Sequence, residues 1–492
     1  MKKTLFLLFC LLSFYTQAQI KIQGTVTDAN DNLSGAVVLL KNTNVASVTD
    51  QSGAFQFEVD RPGDYQLEVR YVGYQNYTKD LKISGAEVES LNIILQPDVL
   101  GLNEIVVSAN RYETDRREAP VEVGVIGKKL LNATQSQSLA EGLSFQPGIR
   151  VETNCQNCGF TQVRLNGLEG PYTQILVNSR ALFSSLIGVY GLEMIPTYMI
   201  EKVEVVKSGG SALYGSNAIA GTINIITKEP VLNTWEARSN YASVGGEAAD
   251  WNNSLNGSYV SNDLGFGITG FATQRNRDAY DANGDGFTEM VELEATTIGL
   301  KTFYKLSPNT KMSLDVNYID EYRRGGSDMD LLPELTDITE QLEHEIFMAS
   351  MNVDHFIGSN NKVSAYASIQ DTRRDSYYGG LGRGRTAADS LLARNAYGVT
   401  DDISKVVGAQ WTNTAAANHV FTSGAEWQQN KTEDGIPGYN RLVDQKVANL
   451  GLYGQWEWSV SQSLKLLTGA RFDQSQVDGY YKLGQFERTI DN

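Results

Sequence analysis

The sequence predicts a mainly β protein, on three observations. Short alternating runs, broken by turns every ten residues or so, fill most of the first hundred positions. From about residue 233 onward, longer period-two runs recur between polar turns. Glycine is frequent and proline scarce (46 and 10 of 492 residues), and the mean hydropathy is -0.28. That mixture suits many strands with polar turns and argues against a helical membrane protein. The formal net charge of -17 argues against nucleic acid as a partner, because phosphates would be repelled.

Residues 1–18 read as a cleaved signal peptide. Lys2 and Lys3 open it, Leu5–Phe14 is its apolar core, and Thr16-Gln17-Ala18 offers a cleavage site. The core is too short to anchor the chain in a bilayer. Cys10 lies within that core, after Phe9, where a lipoprotein signal would place a small residue. The mature chain is therefore expected to be exported. It has no later run of 18 apolar residues, so any membrane insertion must use strands.

Residues 19–97 read as a small β-sandwich. Strands are expected over Ile20–Thr27, Val37–Lys41, Ser47–Asp50, Ala54–Val59, Tyr65–Tyr71 and Leu91–Leu95, with turns at Asp28–Asn32, Gln51–Gly53 and Arg61–Asp64. The phrases GTVTDANDNLSGAVVLLKNT, TDQSGAFQFEV and YVGYQNY resemble the carboxypeptidase-regulatory-like domain, a transthyretin-like β-sandwich. The resemblance implies an accessory periplasmic module. It does not imply peptidase activity, which would need His and Glu zinc ligands. The three histidines, His344, His355 and His419, stand in no HxxE or HExxH motif, and no enzyme is expected.

The most informative stretch is Glu201–Lys228, EKVEVVKSGGSALYGSNAIAGTINIITK. Its small residues and glycines allow a compact strand–turn–strand unit with close backbone approach. It resembles the end of the plug domain of TonB-dependent outer-membrane receptors, as do LAEGLSFQPGIRVE, FTQVRLNGLEG and YTQILVNSRAL. The resemblance implies an α+β plug over residues 118–230 and a barrel over 231–492. It implies a linker over 98–117 holding a TonB box at Asn103, Glu104, Ile105, Val106, Val107, Ser108 and Ala109. A periplasmic TonB-type energy-transducing protein would pair with that box by strand addition. The alternative for these residues is an ordinary edge strand.

In that family the apical plug loops touch substrate, which makes Asn154, Gln156, Asn157, Phe160, Arg180, Phe183 and Ser184 the substrate-facing candidates. The alternative is that they pack against the barrel wall. Cys155 and Cys158 are expected as a disulfide in an oxidising compartment, with a redox pair or a thiolate metal site as the other readings. Charges at Arg164 and Glu201–Lys207, if buried, would need partners, and ion pairs to the barrel wall are expected.

Past residue 233, Trp251, Asn253, Leu255, Gly257 and Tyr259 oppose Asn252, Ser254, Asn256 and Ser258. Met312, Leu314, Val316 and Tyr318 alternate likewise, as do Leu452, Gly454, Trp456, Trp458 and Val460. An apolar outer face and a polar lumen face are what a transmembrane barrel requires. A soluble sandwich with one wet face would alternate too. Aromatic residues near strand ends favour the membrane, as do connections that alternate between short (Val260–Leu264, Leu306–Lys311) and long (Arg275–Glu294, Tyr322–Glu345). About a dozen strands are expected here, whereas plugged transporters have about 22. The stretch is therefore read as the first part of a barrel, and the sequence as a fragment.

Asp281, Asn283, Asp285, Glu289 and Glu292, with Gly286, match the twelve-residue calcium loop. The helices that flank such a loop are missing, so structural calcium is weighed against an acidic outer loop. No cofactor is required.

Together these readings imply TonB-dependent transport of a scarce nutrient across the outer membrane. The partners would be lipid and a small-molecule ligand, an iron complex such as a ferric siderophore first, with haem or cobalamin behind it. Haem would want an axial His or Tyr; the plug has no His, and His344 is expected in an outer loop. A glycan importer working with a surface lipoprotein is an alternative, and so is a non-transporting barrel or adhesin.

Overall fold

The computed structural model describes residues 20–28, 31–41, 43, 45–59, 61–71, 74–84, 90–96, 104–155, 157–181, 195–207, 211–416, 418–461 and 463–492. The expected signal peptide lies outside them. Two units divide the chain, Met1–Asn103 and Glu104–Asn492.

The first unit packs two sheets face to face. Its strands are β1 (Ile20–Thr27), β2 (Val37–Leu40), β3 (Ala46–Val48), β4 (Ala54–Val59), β5 (Gly63–Arg70), β6 (Tyr77–Ile83) and β7 (Leu91–Ile94). One sheet runs β4-β1-β7, the other β3-β2-β5-β6. In β1 the odd–even pattern works directly: Ile20, Ile22 and Val26 are buried while Lys21 and Gln23 face water. Facing side chains Val38, Leu40, Leu67, Val69 and Ile93 complete the core. Sequence reading missed β6. Its Thr78-Lys79-Asp80 run is exposed and polar because β6 is a sheet edge, where charges discourage further pairing.

The second unit begins with the short pair β8 (Ile105–Val106) and β9 (Thr114–Asp115). Next come β10 (Val123–Gly127), α1 (Lys128–Ala133), α2 (Leu139–Leu143), β11 (Ile149–Cys155), β12 (Phe160–Leu165), β13 (Thr173–Val177), β14 (Ile200–Val206), α3 (Ser211–Tyr214) and β15 (Gly221–Thr227). The Ser138 hydroxyl caps α2 by accepting the Glu141 N–H at 3.3 Å, and Glu141 reciprocates at the Gln137 N–H. A mixed sheet, β10-β14-β15-β13, forms the centre, and β11 and β12 make a separate hairpin. Strand β14 is buried at Val203, Glu204, Val205 and Val206 alike, so both of its faces are covered. Gly221 lets β15 start against β14: at φ +137°, a Cβ there would fall 2.0 Å from the Val206 carbonyl oxygen.

The remaining strands are β16 (Thr234–Val244), β17 (Ala248–Val260), β18 (Phe266–Arg277), β19 (Glu292–Ser307), β20 (Thr310–Gly326), β21 (Thr339–Ile357), β22 (Asn361–Gly379), β23 (Tyr397–Asn413), β24 (His419–Ile436), β25 (Arg441–Ser461), β26 (Leu464–Leu483) and β27 (Phe486–Asp491), with α4 (Ala387–Arg394) between β22 and β23. They form one antiparallel meander of twelve strands among the described residues, each paired to the next, with β16 and β27 as its edges. Connections at one end are short, for instance 308–309 and 358–360; at the other they include 278–291, 327–338 and 380–396. Three at that end, 245–247, 437–440 and 484–485, are short as well, so the expected asymmetry is a tendency.

Trp251, Leu255, Tyr259, Leu452, Trp456 and Val460 are exposed, on the alternate positions the sequence assigns to the outer face. Aromatic groups cluster toward both rims. Tyr241 and Trp251 stack at 4.7 Å near the 245–247 connection, and Trp456 and Trp458 lie 5.8 Å apart near the 414–418 turn. An apolar belt between aromatic girdles is the outer surface of a transmembrane barrel. No helix among the described residues is long and apolar enough to cross a membrane.

One expectation is corrected here. His344 does not lie in an outer loop; it is 1% exposed inside β21, with Nδ1 3.4 Å from Glu321. Burial alternates strictly from Leu342 through His344 and Ile346 to Met348; the strand is disguised because Glu343 and Glu345 fill exposed positions and a histidine takes a buried one.

Candidate functional site

The expected TonB box is not a dangling peptide. Asn103 lies outside the described residues. Glu104 leads into β8, and from Val107 the backbone turns into the plug. Glu204 on β14, 0% exposed, accepts the Val107 N–H (2.9 Å), the Ser108 N–H (2.8 Å) and the Ser108 hydroxyl (2.7 Å) on one carboxylate oxygen. Its other oxygen pairs with Lys202 at 2.9 Å, and that ammonium also donates to the Ile105 carbonyl. Asn224 on β15 donates to the Ser108 hydroxyl at 2.9 Å, and the Tyr214 hydroxyl to the Ser108 carbonyl at 3.2 Å. Val106 and Ala109 are buried beside Val123 and Val206. Burial raises the Glu104 carboxyl above its ordinary range. Sequence reading marks Glu201–Lys207 as charges that would need partners if buried, but does not connect Glu204, Asn224 or Tyr214 with residues 103–109; the available signal is a charged residue inside the otherwise apolar run VEVV.

The same segment continues to the wall. Asn110 donates to Glu457 on β25 at 3.1 Å. Arg111 donates to the Tyr453 hydroxyl at 2.8 Å, lies 3.7 Å from Glu426 on β24, and is sandwiched by the rings of Tyr214 and Tyr453 at 4.6 and 4.8 Å. Glu426 also accepts the Tyr366 hydroxyl at 2.6 Å and lies 3.9 Å from Arg471. A guanidinium between two tyrosine faces and a carboxylate is well compensated in a site that excludes water.

Ion pairs between plug and wall form, but through other residues than the ones singled out. Arg164 pairs with Glu152 at 2.5 Å inside the plug, Glu201 with Lys128 at 2.8 Å, and Lys202 with Glu204. The pairs that reach the wall include Arg111 with Glu426, Glu141 with Arg275 at 3.7 Å, Glu118 with Lys465 at 3.9 Å and Glu229 with Lys311 at 2.6 Å.

At the other end of the plug, the β11–β12 hairpin tip meets β20 and β21. The Asn157 carbonyl oxygen lies so close to Gly325 that a Cβ there would come within 2.6 Å of it. The expected disulfide is corrected: Cys155 and Cys158 are separate thiols. The Cys155 thiol turns to the wall and donates to Glu340 at 2.9 Å, while its sulfur accepts the Cys158 N–H at 3.3 Å. These contacts hold the two sulfurs on neighbouring sides of a tight loop. The Cys158 side chain is the largest influence holding the Cys155 thiol below its usual range.

Of the substrate-facing candidates, Phe160 packs against the cluster of Cys158, Ile319, Leu342, Ile346 and Met348. Arg180 stacks on Tyr366 at 3.5 Å and donates to Asn352 at 3.2 Å. Both pack against the wall, the alternative reading for these residues, and Arg180 finds its compensation there. Gln156, Phe183 and Ser184, and the Asn154 side chain, lie outside the described residues.

In the acidic outer loop, oxygens of Asp281, Asp285 and Glu289 lie within 4.8 Å of one another. Asp281 accepts the Gly284 and Gly286 N–H groups, both at 2.7 Å, and Glu289 accepts from Ala282 and Asn283. The Gly286 N–H is the main influence that lowers the Asp281 carboxyl. Glu292 is not brought to this group. Tyr280 bridges to Met290, so the chain turns back and Glu292 opens β19. The full calcium pattern is thus not assembled.

Comparison with known proteins follows this division. Residues 115–222 match the TonB-dependent receptor plug domain and residues 22–107 the CarboxypepD_reg-like domain. A vitamin B12 transporter of Photobacterium profundum is 25% identical over 358 residues, covering 69% of this chain and 54% of that protein. The chain therefore spans about half the length of that relative. Among solved structures, the siderophore receptor PiuA of Acinetobacter baumannii superposes with a TM-score of 0.57 at 15% identity, covering 76% of this chain and 60% of that one. The alcaligin outer membrane receptor FauA of Bordetella pertussis gives 0.60 at 14% identity, with 79% and 61% covered. At such identities the two structures share the fold.

Proposed function

We propose that this chain, which carries a TonB-dependent receptor plug domain behind a CarboxypepD_reg-like domain, takes part in energised uptake of a scarce metal chelate across an outer membrane. A ferric siderophore is the first substrate class. A corrinoid is the second, favoured by the name of the Photobacterium relative.

The observation that carries the reading is the clamp on residues 105–111. An extended segment next to a sheet can be extracted by strand addition from a partner. Here extraction would remove three hydrogen bonds from a buried carboxylate, and the next residues, Asn110 and Arg111, are bonded to the wall. A pull by a TonB-type protein on residues 103–109 would thus act first on the Glu204 clamp and then on the joint between plug and barrel. The exposed belt containing Leu255 and Leu452 would face lipid.

Uptake of radiolabelled ferric siderophores and of labelled cobalamin, in cells with the intact protein and with a form lacking residues 103–109, tests this. Energised transport requires that the deletion abolish accumulation and leave surface binding intact. Accumulation that survives the deletion would point to a non-transporting or passive barrel.

A further inference from the structure

We propose that Cys155, Cys158 and Glu340 form a binding site for a thiophilic divalent cation of the zinc class, which pins the plug hairpin to the barrel wall. The ligating atoms of these three residues all lie within 4.8 Å of one another. Zinc bonds of about 2.3 Å to sulfur and about 2.0–2.2 Å to oxygen would set tetrahedral donors roughly 3.4–3.8 Å apart. The Cys155–Glu340 pair, at 2.9 Å, would open slightly to admit the ion.

The geometry has the parts of a chelate. Two cysteines stand three positions apart on a tight turn closed by the Gly159 N–H on the Cys155 carbonyl at 3.0 Å, the C-x2-C spacing of structural zinc sites. The third donor comes from another element: Glu340 follows the 327–338 connection in β21 and already faces the Cys155 thiol at 2.9 Å. That thiol proton occupies the place a cation would take. The loop is supported on both sides. The Arg323 guanidinium donates to the Gly159 carbonyl at 3.2 Å, and the Asn157 carbonyl abuts Gly325. Cys158 is 5% exposed within an apolar cluster that includes Met348 and Leu342, which shields its sulfur from water, while Cys155 is half-buried.

Donor chemistry selects the ion. Two thiolates exclude magnesium and calcium, which take oxygen ligands. Two cysteines are too few for an iron–sulfur cluster. Two thiolates and a carboxylate together favour a divalent ion over copper(I), and three protein donors leave a fourth position for water. Binding displaces two thiol protons and forms two metal–sulfur bonds and one metal–oxygen bond, with no change of oxidation state.

The inference is independent of the transport reading, because its test measures metal and not uptake. Full-length protein, extracted in detergent without oxygen, is titrated with zinc and, separately, with cobalt(II). The proposal expects one zinc per chain, protection of both thiols from a thiol reagent, and a thiolate-to-cobalt charge-transfer band. Glu340→Gln should weaken zinc binding at least about tenfold while leaving both thiols reactive in the metal-free form. Cys155→Ser should remove most of the charge-transfer band. A 155–158 disulfide in protein that takes up no zinc after reduction would overturn the proposal. So would unchanged zinc binding in Glu340→Gln, whose isosteric side chain leaves the fold intact.

Discussion

Ser108 meets Glu204 twice on one oxygen, through its backbone N–H at 2.8 Å and its hydroxyl at 2.7 Å. Both residues are at most 1% exposed, so the bonds form where water cannot replace them. Substituting Glu204 by Ala should leave the Val107 and Ser108 donors unpaired, at about 1–3 kcal/mol for each buried group that stays unsatisfied. Residues 104–109 should then dissociate from the plug. Continuous-wave spectra of a spin label at Val107 would narrow in Glu204→Ala relative to the parent. An unchanged spectrum would mean that Glu204 does not hold the segment.

Glu104 adds a pH dependence of known sign. Burial raises its pKa in the folded state, so folding favours the protonated form. The stabilisation is complete below the ordinary carboxyl value and is lost as pH rises through the raised one. Docking of the segment should therefore loosen as pH rises above the ordinary carboxyl range, and Glu104→Gln should remove that loosening. Amide hydrogen exchange at Ile105 and Val106 measured across the range would reveal it. Equal pH profiles for parent and variant would rule out Glu104 as the source.

The joint at Arg111 should be asymmetric. Glu426 faces two guanidinium groups, Arg111 at 3.7 Å and Arg471 at 3.9 Å, while Arg111 has two tyrosine rings besides. Arg471 keeps Asp473 at 2.8 Å, but Glu426→Gln leaves the buried Arg111 without its carboxylate and should cost about 3–5 kcal/mol. Arg111→Met leaves Glu426 with Arg471 and the Tyr366 hydroxyl and should cost less. Denaturant unfolding of the two single variants and the double variant gives the coupling. A larger loss in Arg111→Met than in Glu426→Gln would contradict this order.

How much of this the sequence discloses depends on how local each feature is. The twelve-strand meander is legible because period-two alternation is written residue by residue, as in Trp251–Tyr259. The β-sandwich is legible for the same reason, apart from β6, where the exposed Thr78-Lys79-Asp80 run leaves only Leu81 and Ile83 to show the alternation. The clamp was half visible: the segment 103–109 could be picked out, but not its partner Glu204, about a hundred residues away. Pairing across such distances leaves no local trace, so the Asn352 and Tyr366 partners of Arg180 could not be named either. Cys155 and Cys158 stand three positions apart and invite a bridge; the Glu340 carboxylate that accepts from the Cys155 thiol is supplied by a strand 185 positions later.

Leu255 tests the membrane reading against a soluble sheet. It sits mid-strand in β17, 57% exposed, across from Ala237 on β16 and Ala272 on β18. In water, Leu255→Arg would be neutral or mildly favourable, since the substitution exchanges an exposed apolar group for a charged one. In a bilayer the same guanidinium near the midplane should cost about 2–4 kcal/mol. The neighbouring Asn256, on the other face, should tolerate Arg with little change. Folding of the three proteins into lipid vesicles, followed by denaturant titration, separates the cases. A Leu255→Arg variant as stable as Asn256→Arg would place this face in water and remove the lipid belt from the account.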